Sequence, residues 1–213
     1  MKVFSRLAAV LLFTAALTAC SQVPGIVVYE KNGQAPAGAT AADAVSFVDA
    51  NWSQKIVPTV QEKAVDVVTV AAAIDEDPEA AGRQYGNQAG AGSPYAYMVT
   101  GSGTITKVDT SAPTGPVTVE VPGIGGEPLT VTVATGPVIA GTAIRDAVGF
   151  ISFGDFTNQI EYANVASQIN EKVKTEVVAG KELKQGEKLT FHGAFPALPG
   201  GAILVVPTAL EVG

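Results

Sequence analysis

The densest collection of side chains able to do chemistry lies between residues 141 and 162. Arg145, Asp146, Asp155, Asn158, Gln159 and Glu161 are interleaved there with Phe150, Phe153, Phe156 and Tyr162. Carboxylates, amides and a guanidinium exchange hydrogen bonds with sugar hydroxyls, and aromatic faces cover the apolar side of a pyranose. Arg145, Asp146, Asp155, Asn158 and Gln159 are therefore the candidate ligand-binding residues. The same residue types also serve structure. Asp155 or Thr157 can cap a following helix, Arg145 can pair with a carboxylate, and the aromatic rings can fill a core. Adjacent residues on a helix point in different directions, so Arg145 and Asp146 are not expected to pair with each other.

Other chemistry-bearing positions are isolated. His192 is the single histidine and sits in the alternating run KLTFHGAF. As a general base it needs a partner and a cleft, so a hydrolase built on Asp146, Asp155 and His192 requires the three to converge. No Gly-x-Ser-x-Gly elbow is present, which leaves a serine hydrolase without its nucleophile turn. Trp52 is either a stacking platform or a core anchor. The acidic run Asp75, Glu76, Asp77 and Glu79 lacks the glycine and closing glutamate of a calcium loop and reads as a helix end. Gly101-Ser102-Gly103 and Gly123-Ile124-Gly125-Gly126 complete neither a dinucleotide fingerprint nor a P-loop, and both read as hairpin turns. With one cysteine and one histidine, an internal disulfide, a thiolate cluster and a two-histidine metal site are excluded. The expectation is a protein that is not an enzyme and uses no metal or cofactor.

The elements that must position these residues belong to a chain of 213 residues, 47% apolar and 15% charged. That is enough apolar material for the core of one domain. The formal net charge of -7 argues against a nucleic-acid partner, which needs a cationic face. Residues 1–20 read MKVFSRLAAVLLFTAALTAC, with Lys2 and Arg6 ahead of an apolar run from Leu7 to Leu17. The run has signal-peptide length and is short for a permanent membrane span. Leu17-Thr18-Ala19-Cys20 resembles a bacterial lipobox. Residues 1–19 are thus expected to be a lipoprotein signal, and Cys20 the lipidation site that tethers the chain to a membrane. Each buried acyl CH₂ contributes about 0.8 kcal/mol, and stable anchoring takes more than one chain. Ser21, where aspartate would retain a lipoprotein at the inner membrane, favours the outer membrane.

Residues 20–39 read as the lipidated cysteine and a tether rich in glycine and proline, with a candidate strand at Ile26–Tyr29. Residues 40–213 read as a single α+β domain. Its segment 40–86 is helical. Thr40 is a candidate cap, Pro58 breaks or opens a helix, and a second helix carries Val60, Ala64, Val67, Val68 and Ala71 to about Ile74. A third helix spans Pro78–Tyr85, and 86–93 is a loop. From Tyr95 the apolar period becomes two, which predicts short strands at Tyr95–Val99, Gly103–Val108, Pro116–Val121 and Pro128–Val133. A helical turn at Thr142–Ala147 and a strand at Phe150–Phe153 follow. The clearest helix covers 157–178, with Ile160, Ala163, Ala166, Ile169, Val173 and Val177 on one face. Lys188–Phe195 and Ala202–Val212 are closing strands. The expected architecture is an OB-like antiparallel β-barrel over 94–213, with an N-terminal helical segment and one long helix packed on the barrel.

Four blocks carry a family resemblance: FVDANWSQKIVP at Phe47–Pro58, GPVIAGTAIRDA at Gly136–Ala147, FGDFTNQIEY at Phe153–Tyr162 and KLTFHGAF at Lys188–Phe195, together with the closing Ile203–Val212. They are similar to a family of predicted periplasmic lipoproteins catalogued as a domain of unknown function. The resemblance spans nearly the whole chain after Cys20. It implies a lipid-anchored periplasmic protein, and association with sugar-type ABC import systems. A small sugar or an import component is the implied partner, beside the membrane reached through Cys20. The resemblance implies no catalytic residue. The alternative is a structural envelope lipoprotein that binds only proteins.

Overall fold

The computed structural model describes residues 41–198 and 200–213. The signal, the lipobox at Cys20, the tether, the strand expected at Ile26–Tyr29 and the Thr40 cap lie outside the described residues.

Helix α1 (Ala41–Asn51) continues into a wider π-type turn (Trp52–Ile56) and then α2 (Val57–Lys63). Pro58 has no N–H to give to the Gln54 carbonyl, and the helix widens just ahead of it. The wide turn buries Trp52 and Ile56, so Trp52 is a core anchor. The second helix expected to run unbroken from Val60 to Ile74 is instead two. Ala64 turns to extended geometry, and Val65–Asp66 form a short strand, β1, parallel to a longer strand at Val99 and Thr100. The Asp66 carboxylate then accepts the Val68 and Thr69 N–H groups, both at 3.0 Å, and starts α3 (Val67–Glu76). An aspartate that can bond the backbone two and three residues on competes with helix continuation, and here it wins. Asp77 repeats the device for α4 (Pro78–Tyr85), accepting from Glu79 and Ala80. The acidic run is therefore a helix end and a cap.

The loop expected at 86–93 begins as strand β2 (Gly86–Gln88), paired antiparallel with the start of β3 (Tyr95–Val108). β3 is continuous through Gly101-Ser102-Gly103, which corrects the hairpin turn and the two separate strands expected there. These glycines are demanded by close approach. A Cβ on Gly101 would stand 2.6 Å from Cζ of Phe191, and one on Gly103 would stand 2.2 Å from the Glu120 carbonyl oxygen. β4 (Val117–Val121) and β5 (Leu129–Val133) form the expected hairpin. Gly125 and Gly126 in its loop have φ of 75° and 91°, values that favour glycine.

Strands β6 (Lys188–Pro196) and β7 (Leu204–Val212) complete the sheet. Pairing runs β3 to β4 to β5 to β7 to β6 and returns from β6 to β3. The β5–β7 pairing is parallel, at Thr132–Leu204 and Val133–Val205, so the expectation of a purely antiparallel sheet is corrected. The interior is dominated by β-branched residues: Val99, Ile105, Val117, Val119, Val131, Val133 and Val205 are fully buried with Leu189 and Phe191. The alternation of these residues is what a one-sided strand requires.

Between β5 and β6 come α5 (Ala143–Ala147), a 3₁₀ turn (Phe153–Asp155), α6 (Gln159–Lys172) and a π-type turn (Val173–Val178). The strand expected at Phe150–Phe153 does not form. The buried face of α6 is Tyr162, Val165, Ala166 and Ile169, continued by Val173 and Val177. Ile160 and Ala163, expected on it, are exposed. Tyr162 and Val165, two positions on from each, take the inward side instead. Asn87 of β2 donates to the Ala147 carbonyl at 2.6 Å and ties the end of α5 to the sheet.

Candidate functional site

The candidate residues divide into a buried knot and a set of caps. In the knot, the Arg145 Nε donates to Asp146 Oδ1 at 2.8 Å, and Nη2 lies 2.7 Å from the same oxygen. Nη1 donates to the Tyr162 carbonyl at 3.2 Å, and the guanidinium carbon stands 3.7 Å from the centre of the Tyr162 ring. Thr142 Oγ1 donates to the other Asp146 oxygen at 2.6 Å. The Arg145 and Asp146 side chains keep only 8% and 14% of their exposure. The two neighbours therefore do pair, contrary to expectation. α5 is a single turn, and the long arginine stem folds back over Tyr162, so the directions that separate neighbours on a long helix do not apply. Burial pushes the Tyr162 phenol above its ordinary pKa, and the guanidinium over the ring partly offsets this.

The remaining candidates are committed elsewhere. Asp155 Oδ2 accepts the Ser152 N–H at 2.9 Å and closes a reciprocal box with Ser152 around the 3₁₀ turn. Asn158, rather than Asp155 or Thr157, caps α6. Its Oδ1 accepts from Ile160 and Glu161, both at 2.9 Å, a contact of about 1 kcal/mol. Glu161 reaches back from the third helical position to accept the Thr157 N–H at 2.7 Å. Asn-x-x-Glu is a capping pattern legible in the sequence, and it was the missed signal. Gln159 is exposed at the start of the helix. Among the described residues, no buried side-chain nitrogen or oxygen lacks a hydrogen-bond partner.

His192 lies between Thr100 of β3 and Ala209 of β7, and its carbonyl accepts from Thr208. Among the described residues no hydrogen bond or ion pair joins its ring to Asp146 or Asp155. The structure thus brings Arg145, Asp146 and Tyr162 together, and leaves Asp155, Asn158 and His192 in separate local roles.

What the sequence did not disclose is a groove beside α6, of about 510 Å³, lined by Val138, Ile139 and Thr142 across from Ser167, Asn170 and Lys174. Asn170 Nδ2 donates to the Gly141 carbonyl at 2.9 Å across it. A second hollow, of about 470 Å³, lies past the end of α6, between the 108–117 turn and Val178, Lys181 and Leu183, and Pro137 lines both. The turn is held by Asp109, which accepts from Ser111, Lys107 and Ala112. The Ser111 hydroxyl, the Lys107 ammonium and the Ser111 N–H hold the Asp109 carboxyl well below the usual range, in that order of effect. Ala163, Ser167 and Asn170 of α6, followed by Lys174 of the π-type turn, form one wall of the groove, a spacing visible in the sequence only once the opposite wall is known.

The circuit of strand pairings, with its helical connection between the third and fourth members, defines an OB-like fold. It is similar to the crystal structure of an OB-fold protein from Thermotoga maritima MSB8, at a TM-score of 0.59 and 22% identity, covering 81% of this chain and 96% of that chain. The chain belongs to the family described as "Predicted periplasmic lipoprotein (DUF2291)", whose profile matches residues 10–211. Membership makes it a periplasmic, membrane-anchored lipoprotein of a family without an assigned function. No curated protein matches it. Among the described residues, no helix is long and apolar enough to cross a membrane.

Proposed function

We propose that the chain is a non-enzymatic accessory of solute import that works through protein contacts. It is held at the membrane by lipid on Cys20, after removal of residues 1–19. The observation that supports a protein partner over a solute is the closure of the 141–162 cluster. Arg145 and Asp146 spend their hydrogen bonds on each other, on Thr142 and on Tyr162, and Asn158 is engaged by its own helix. A sugar would have to break those contacts to use them, against a buried pair whose separation is costly. The α6 groove offers the partner surface, with half-exposed Val138 on its rim. The partner class is a component of a sugar-type ABC importer, as the family resemblance implies. The Ser21 preference for an outer-membrane anchor stands apart from this assignment and is weakened by it, since such importers sit in the inner membrane.

A photo-reactive amino acid at Val138 in the full chain, irradiated in intact cells, is expected to yield an adduct whose second component is an importer subunit identified by mass spectrometry. The same residue at Thr130, exposed on β5, should not. Equal yields at both positions, or adducts with unrelated envelope proteins only, would overturn the assignment.

A further inference from the structure

β5 and β7 pair only at Thr132–Leu204 and Val133–Val205, so the sheet is open ahead of them. Leu129 at the start of β5 lines that opening with Gly201 and Ile203, in a hollow of about 80 Å³. Two larger hollows continue it. One, of about 270 Å³, shares Ala71, Asp75 and Leu129 with it and reaches Ile124 and Glu127 of the β4–β5 loop. The other, of about 350 Å³, shares Ile74 and Ala197 with it and reaches Glu79 and Tyr95. The three therefore form one groove that runs past the end of α3. Ile124 is 72% exposed and Leu198 is 43% exposed, and both line this groove. Exposed aliphatic side chains gathered along one concave surface mark a contact, which single ones do not.

The charge on this groove has one sign. Among the described residues its charged lining is Asp75, Glu79 and Glu127, with no lysine, arginine or histidine, whereas the hollows beside and beyond α6 carry Lys174 and Lys181. Asp75 lies with Glu76 in the last turn of α3, which holds no basic residue. The negative end of the helix dipole disfavours carboxylates there and favours a cation. Neither Asp75 nor Glu127 has an ion-pair partner among the described residues. Glu79 pairs with Arg83 at 3.5 Å, with both side chains exposed, a contact of little worth. A second copy of the chain is a poor occupant, because a two-fold contact sets the same carboxylates against each other.

We propose that this groove takes an extended segment of a partner protein in which aliphatic side chains alternate with lysine or arginine. The aliphatic side chains cover Ala71, Leu129 and Leu198, and the cations lie beside Asp75 and Glu127. Three hollows in series suit a stretched chain better than a compact solute. The groove shares no lining residue with the two hollows at α6, so the inference goes beyond the importer contact and stands without it.

The probe is a fluorescein-labelled hexapeptide, Gly-Lys-Leu-Lys-Leu-Gly. Its anisotropy is read with the full chain in zwitterionic nanodiscs, against empty nanodiscs. Saturable binding is expected, at least about tenfold tighter than for the same peptide with glutamate in place of lysine or serine in place of leucine. Asp75→Asn with Glu127→Gln weakens it about five- to tenfold, and Leu198→Ser weakens it about threefold or more. Glu62→Gln with Glu211→Gln, the same change of charge outside the groove, leaves it within about twofold. Equal losses in the two charge-changed pairs, or equal binding of the lysine–serine peptide, reduce the effect to net charge and overturn the proposal. Absence of saturable binding overturns it as well. Self-association of the full chain that Leu198→Ser disperses gives the groove to a second copy and overturns it too.

Discussion

Arg145→Met lowers the free energy of unfolding of the full chain by about 3–5 kcal/mol, because it leaves the Asp146 carboxylate buried without its cation. The substitution also removes the donor to the Tyr162 carbonyl and the cation over the Tyr162 ring. Thr142 remains as a donor to Asp146 but carries no charge. The double variant Arg145→Met, Asp146→Leu recovers most of the loss, since two apolar side chains of similar volume need no partner. Urea unfolding of the wild type, both singles and the double gives the coupling directly. A loss below about 1 kcal/mol for Arg145→Met, in the range of an exposed ion pair, would show that the guanidinium is free to serve a ligand.

The second large effect belongs to the sheet. Phe191 is fully buried and its ring tip lies over Gly101. Phe191→Ala is expected to cost about 3–5 kcal/mol through lost burial and the cavity left behind. Gly101→Ala costs about 1–3 kcal/mol by forcing the ring aside. Combined, the two cost less than their sum, because the new methyl enters the space the ring vacated. Strict additivity in denaturant unfolding would mean that Gly101 does not make room for Phe191.

These two sites show how far the sequence could be read. The alternation of Val117, Val119 and Val121, and of Val131 and Val133, specified the β4–β5 hairpin because a strand with one buried side repeats every second residue. The glycines at 101 and 103 carry no such local rule. A glycine in a turn and a glycine under a crossing ring look alike until the residue that crosses is known, and Phe191 lies far along the chain. The break at Ala64–Asp66 was hidden by apolar residues that fit a helix on either side of it. The capping aspartate was the visible signal, and a single carboxylate does not outvote a helical period. At the candidate site the residues that gather were legible, and their partners were not. Asn158 and Glu161 follow a local spacing rule. Arg145 bonding Asp146 while stacking on Tyr162 depends on how a one-turn helix meets a long one, which no spacing encodes. The groove beside α6 has two walls from distant parts of the chain, so neither wall announces it.

Thermal unfolding of the full chain against pentoses, hexoses and their phosphates asks whether the 141–162 cluster is closed to solute. A ligand at about 100 times its dissociation constant adds roughly 2.7 kcal/mol of stability. A closed cluster leaves the midpoint unchanged with every sugar in the set. A midpoint raised by one sugar, with the rise abolished in Asp155→Asn, would contradict it and make the cluster a solute site.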